Sequence, residues 1–104
     1  MSKLASTGLS RQDVFSIVNV LRSNPKIQNA VLFGSRALGT YSSGSDIDIS
    51  LLGANLSLKD VLDVSIDLEE LNLPYKFDLI IYERINEEAL KEHIQRVGIQ
   101  LYEL

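Results

Sequence analysis

Apolar residues recur at helical spacing near the start of the chain, where Val14, Val18 and Leu21 share one face between about Ser10 and Asn24. Ser10 and Asp13 form a capping-box pair, Leu9 and Val14 occupy the staple positions, and Pro25 stops the helix. From Gln28 to Gly34 (QNAVLFG) the pattern becomes a short, nearly continuous apolar run, which predicts a buried strand closed by glycine. Ser35 to Leu38 predicts a turn of helix, and Gly39 to Ser45 (GTYSSGS) has the composition of a loop. Asp46 to Leu52 (DIDISLL) then alternates polar and apolar residues, the period of a half-buried strand.

Ser57 with Asp60 repeats the capping logic, and Leu56 with Val61 repeats the staple. Leu58, Val61, Leu62, Ser65, Leu68 and Leu71 keep helical spacing until Asn72 and Pro74 end the segment. Lys76 to Tyr82 (KFDLIIY) predicts a third strand. The last helix is expected to start at Asn86, with Glu87 and Glu88 in the first turn, where the helix dipole favours acids. Leu90, Ile94, Val97 and Leu101 hold one face through Gly98, so this helix is predicted to run almost to the end. The order α-β-(α)-β-α-β-α describes an α/β chain with at least three strands.

Composition narrows the class without naming a function. The 104 residues suit a single domain, with 45% apolar and 23% charged positions. No apolar run approaches the roughly 18 residues of a membrane span, and the first residues lack a signal-peptide core, so a cytoplasmic protein is expected. Cysteine is absent, which removes disulfides, thiolate zinc sites and thiol nucleophiles together. The net charge of −4 with scattered basic residues argues against generic nucleic-acid binding, which needs a basic stripe.

The chemistry concentrates between Gly34 and Asp48 (GSRALGTYSSGSDID). Residues i and i+2 of a strand share a face, roughly 6–7 Å apart. Asp46 and Asp48 can therefore hold metal ions between them while Ile47 and Ile49 pack behind. Two divalent ions roughly 3.5–4 Å apart suit in-line displacement at phosphorus. Oxygen-only ligands favour Mg²⁺, with Mn²⁺ as the other choice, over zinc. Gly34 and Ser35 stand where a buried strand meets a helical turn, a place where backbone N–H groups receive phosphate oxygens. Arg36 is the adjacent charge, as ready to make a structural ion pair as to touch phosphate. Asp78 lies inside an apolar strand, where an ionised carboxylate is costly unless paired or metal-bound. If its strand neighbours the one carrying Asp46 and Asp48, the three carboxylates converge, and Asp78 becomes either a general base or a further metal ligand.

These motifs together resemble the polymerase-beta-like nucleotidyltransferase superfamily, and within it the small MNT proteins. The shared pattern is Gly-Ser, ten residues, Asp-x-Asp, and a later Asp on a neighbouring strand; here Gly34-Ser35, residues 36–45, Asp46-Ile47-Asp48 and Asp78. The resemblance spans about residues 27–83. It implies a mixed sheet flanked by helices, a nucleoside triphosphate such as ATP, Mg²⁺, and transfer of a nucleoside monophosphate to a hydroxyl with release of pyrophosphate. MNT proteins are commonly paired with a helical HEPN protein, in one arrangement as an antitoxin that adenylylates its toxin.

Three functions are compatible with this pattern: AMP transfer to a HEPN partner, a catalytically silent module that neutralises by binding, and transfer to a small molecule with a separate substrate-binding subunit. A template-copying polymerase and P-loop chemistry find no support in the sequence. Outside the motifs, His93 reads as a surface histidine with no metal-spacing partner, and Tyr41 as a loop tyrosine able to stack on a base.

Overall fold

The computed structural model describes residues 6–103. Four helices and four strands follow one another as α1 (Arg11–Arg22), β1 (Asn29–Phe33), α2 (Gly34–Leu38), β2 (Ile47–Leu52), α3 (Leu58–Glu69), β3 (Phe77–Ile81), α4 (Glu88–Val97) and β4 (Ile99–Glu103), with a 3-10 turn at Tyr82–Arg84. The strands form one mixed sheet in the order β3-β2-β1-β4. Strand β1 is antiparallel to both β2 and β4, and β2 is parallel to β3.

Local chemistry explains the helix starts. Ser10 Oγ accepts the Asp13 N–H at 3.0 Å, while the Asp13 carboxylate takes a hydrogen bond from the Tyr75 hydroxyl rather than closing the capping box. At Ser57 the box is complete: Asp60 N–H donates to Ser57 Oγ, and Ser57 N–H donates to Asp60 Oδ2 at 2.8 Å. Asp60 also accepts from Lys26 and Asn24, so one carboxylate ties the start of α3 to the turn after α1.

The two faces of the sheet divide the labour. Ala30, Leu32, Ile47, Ile49 and Leu51 turn toward Ile17 and Leu21 of α1 and Val64 and Leu68 of α3, forming the main core. Leu58, Leu62 and Ile66 make an exposed row on α3, so that helix is buried through Val64 and Leu68 instead. The opposite face carries Val31, Phe33, Asp48 and Asp78. Helix α4 packs there: Ile94 is buried and the His93 ring meets Phe33.

The C-terminal end corrects the sequence expectation. The helix stops at Val97, and Ile99–Glu103 becomes an edge strand on β1. Gly98 makes the change of direction possible, because a Cβ there would overlap the Ile94 carbonyl oxygen and Val31 Cγ1. Its φ of −59° and ψ of 142° are open to any residue, so the requirement is steric. Leu101 therefore keeps its inward position on a strand rather than on a helix. Pairing with β1 satisfies backbone groups that would otherwise line an open edge, and Tyr102 adds a hydroxyl hydrogen bond to the Ile27 carbonyl at 2.9 Å. Burial pushes the Tyr102 phenol up to about 12. Gly98→Ala is expected to destabilise the fold by about 1–3 kcal/mol, seen as a lower urea midpoint. An unchanged midpoint would mean that the crowding at this turn relaxes without cost.

Candidate active site

Sheet register brings the candidate residues together. Asp48 pairs with Phe33 on one side and with Asp78 on the other. Cross-strand partners point to the same face, so Asp48 and Asp78 project together. The residue after Phe33 is Gly34, which lies directly beside the Asp48 carboxylate. A Cβ on Gly34 would collide with Asp48 Oδ2, and its φ of +77° disfavours any other residue. Glycine at this position thus meets two independent demands. Ser35 follows at the start of α2, and its carbonyl accepts the N–H groups of Gly39 (2.9 Å) and Thr40 (3.0 Å) to close that turn.

Asp46 and Asp78 are exposed, while Asp48 is half-buried. The Asp48 carboxyl is pushed above its usual range, first by burial and then by the negative charges of Asp78 and Asp46. This ordering shows carboxylates near enough to feel one another. Among the described residues no three His, Cys, Asp or Glu side chains are drawn around a single point that could hold an ion. An oxygen-only donor set nonetheless suits a hard divalent cation such as Mg²⁺ or Mn²⁺, and Asp46, Asp48 and Asp78 are the residues that would hold it.

Arg36 departs from the role considered for it at the phosphate. Its side chain is only 2% exposed. Nε and Nη2 donate to the Ser45 carbonyl at 3.3 and 3.1 Å, and Nη1 donates to the Thr7 carbonyl at 2.9 Å. The guanidinium also lies over the rings of Tyr41 (5.0 Å) and Tyr75 (4.9 Å). Tyr41 thereby offers one ring face to a cation–π contact with Arg36. Arg36 instead anchors the carbonyl immediately before Asp46. Within that loop, Ser42 N–H donates to Ser45 Oγ at 2.9 Å and Ser45 N–H returns to the Ser42 carbonyl at 3.1 Å.

His93 also departs from its expected place. It is half-buried rather than a free surface residue, and its Nε2 accepts the Gly34 N–H at 3.1 Å. The two positions lie 59 apart in sequence, so no local pattern could have paired them. The apolar groove of about 480 Å³ beside β3, lined in part by Leu58, Val61, Ile80, Arg84, Ile85 and Leu90, contains none of the three carboxylates.

Residues 16–104 match the family model described as "Polymerase beta, Nucleotidyltransferase". No curated protein matches the sequence. Among solved structures, a toxin–antitoxin crystallised with AMP-PNP is 30% identical, with a TM-score of 0.74, over 88% of this chain and 73% of that one. A tyrosine-to-alanine mutant of the toxin–antitoxin MntA-HpeT is 31% identical, with a TM-score of 0.71, over 92% and 74%. The fold is shared as well by a chain in the structure of a tri-AMPylated Shewanella oneidensis HEPN toxin in complex with MNT antitoxin, at 24% identity and a TM-score of 0.70 over 92% and 74%.

Proposed function

The chain belongs to the polymerase-beta nucleotidyltransferase family as a member of the MNT type, and from that premise we propose that it transfers AMP from ATP to a hydroxyl of a HEPN-type toxin and so serves as its antitoxin. The observation that carries this reading is the pairing of Asp48 with Asp78 in register, beside Gly34 and Ser35. A site for phosphate oxygens and a site for cations then adjoin on one sheet face.

In this reading Gly34 allows the triphosphate to approach closely while its own N–H stays with His93, Ser35 donates to the phosphate oxygens, and Asp46 and Asp48 face them as metal ligands. A bound divalent cation would supply the positive charge that neutralises phosphate and carboxylate oxygens together. Asp78, on the exposed edge strand, takes the proton of the acceptor hydroxyl. The hydroxyl oxygen bonds to the α-phosphorus, the bond to the β-phosphate oxygen breaks, and pyrophosphate leaves. AMP as the transferred group is supported by the AMP-PNP complex of the neighbour at 30% identity. A protein hydroxyl as acceptor is the class suggested by the AMPylated toxin of the fold neighbour.

The test is the intact mass of the protein encoded beside this chain, after incubation with this chain, ATP and Mg²⁺. Addition of one or more AMP groups is the expected result. A stable complex whose mass never changes would overturn the enzymatic reading and leave neutralisation by binding.

A further inference from the structure

The single histidine of the chain sits on α4, and its ring reaches the turn between β1 and α2. Two contacts fix it there. Nε2 accepts the Gly34 N–H at 3.1 Å, and the ring meets Phe33 edge to face, with centroids 6.2 Å apart and planes at 82°. The contact uses the lone pair of Nε2 as the acceptor. The Gly34 N–H has no acceptor within α2, as for every first-turn amide of a helix. It therefore depends on a side chain from another element.

The peptide held in this way is the one that matters most to the site. Gly34 touches the Asp48 carboxylate on its Cα side and leads directly into Ser35. A change of backbone angles at Gly34 would move the Ser35 amide and hydroxyl and shift Gly34 against Asp48. We propose that His93 is a positioning residue of the nucleotide site, which through Gly34 sets the orientation of the Gly34–Ser35 turn that receives the triphosphate. This inference rests on the nucleotidyltransferase reading of that turn.

Two variants separate this role from simple packing. His93→Phe keeps a ring against Phe33 but has no acceptor, whereas His93→Gln loses the ring and keeps a side-chain carbonyl. In the nucleotide-free protein, hydrogen exchange of the Gly34 amide is expected to quicken about tenfold or more in His93→Phe and to stay near wild type in His93→Gln. With Mg²⁺ and a fluorescent ATP analogue, His93→Phe is expected to bind about tenfold more weakly, and His93→Gln within about threefold of wild type. The opposite ranking would show that the ring contact matters and overturn the positioning role, as would unchanged exchange and affinity in His93→Phe. If wild type itself failed to bind the analogue, the nucleotidyltransferase reading would fall, and the inference built on it with it. The Gly34 exchange rates would still report the hydrogen bond separately.

Discussion

Asp48→Asn is expected to lower nucleotidyl transfer by on the order of 10²–10³-fold or more while raising the thermal midpoint of the nucleotide-free protein. Both effects have one cause. Asp48 is the carboxylate held between Phe33 and Asp78 and pressed against Gly34, so its charge is desolvated and faces two like charges. A cation would use that charge, and without the cation the charge is a liability. Asparagine keeps the shape and removes the repulsion, so the midpoint should rise by roughly 1–3 °C, a small gain because the group is partly screened by solvent.

The pH dependence follows with a definite sign. Because the Asp48 carboxyl is raised above 3.8 in the folded chain, the folded state holds its proton longer than the unfolded state does. Its contribution to stability therefore falls as pH rises from about 3.8 through the folded value, and Asp48→Asn should flatten that slope. Asp60 acts in the opposite direction. Lys26, Ser57 and Asn24 hold its carboxyl below the usual range, so its stabilisation is present above 3.8 and is lost as pH falls. Adding Mg²⁺ should raise the midpoint of wild type by preferential binding to the folded state and leave Asp48→Asn unmoved. A variant that kept full Mg²⁺-dependent transfer would remove Asp48 from the metal site.

Arg36→Leu is expected to cost about 2–4 kcal/mol of folding stability, read from urea unfolding. The guanidinium donates to the Ser45 and Thr7 carbonyls and lies over two tyrosine rings, and leucine replaces none of these contacts. Arg36→Lys should recover little, because one ammonium cannot reproduce a planar fork shared among separated acceptors. Loss of the anchor also frees the carbonyl just before Asp46, so transfer should fall in either variant even where the fold survives. A normal urea midpoint combined with lost ATP affinity would return Arg36 to the phosphate and overturn the structural role.

Much of the frame was legible because it is encoded over short distances. Ser10 and Ser57 start helices by bonding to amides three residues on, and such contacts lie inside the window that periodicity samples. The alternation of DIDISLL already places Ile47, Ile49 and Leu51 on the buried face and Asp48 on the other. The spacing from Gly34-Ser35 to Asp46 and Asp48 could be read for the same reason, since one strand, one turn and one loop connect them. The last segment misled because Ile94, Val97 and Leu101 satisfy a helical period, yet five residues after Gly98 can equally pair with an open strand edge. Local propensity does not decide between those outcomes; the free edge of β1 does.

By itself, then, the sequence determined the two-faced strands, the capped helices, and the set of acids and small residues available for chemistry. Tertiary structure alone decided that Asp78 stands opposite Asp48, that Arg36 turns inward to Thr7 across 29 positions, and that His93 accepts from Gly34 across 59. The physical reason is common to all three. A side chain's partner is fixed by which strands adjoin and which helix covers them, and those choices minimise exposed apolar surface and unpaired backbone over the whole chain rather than within any window of it.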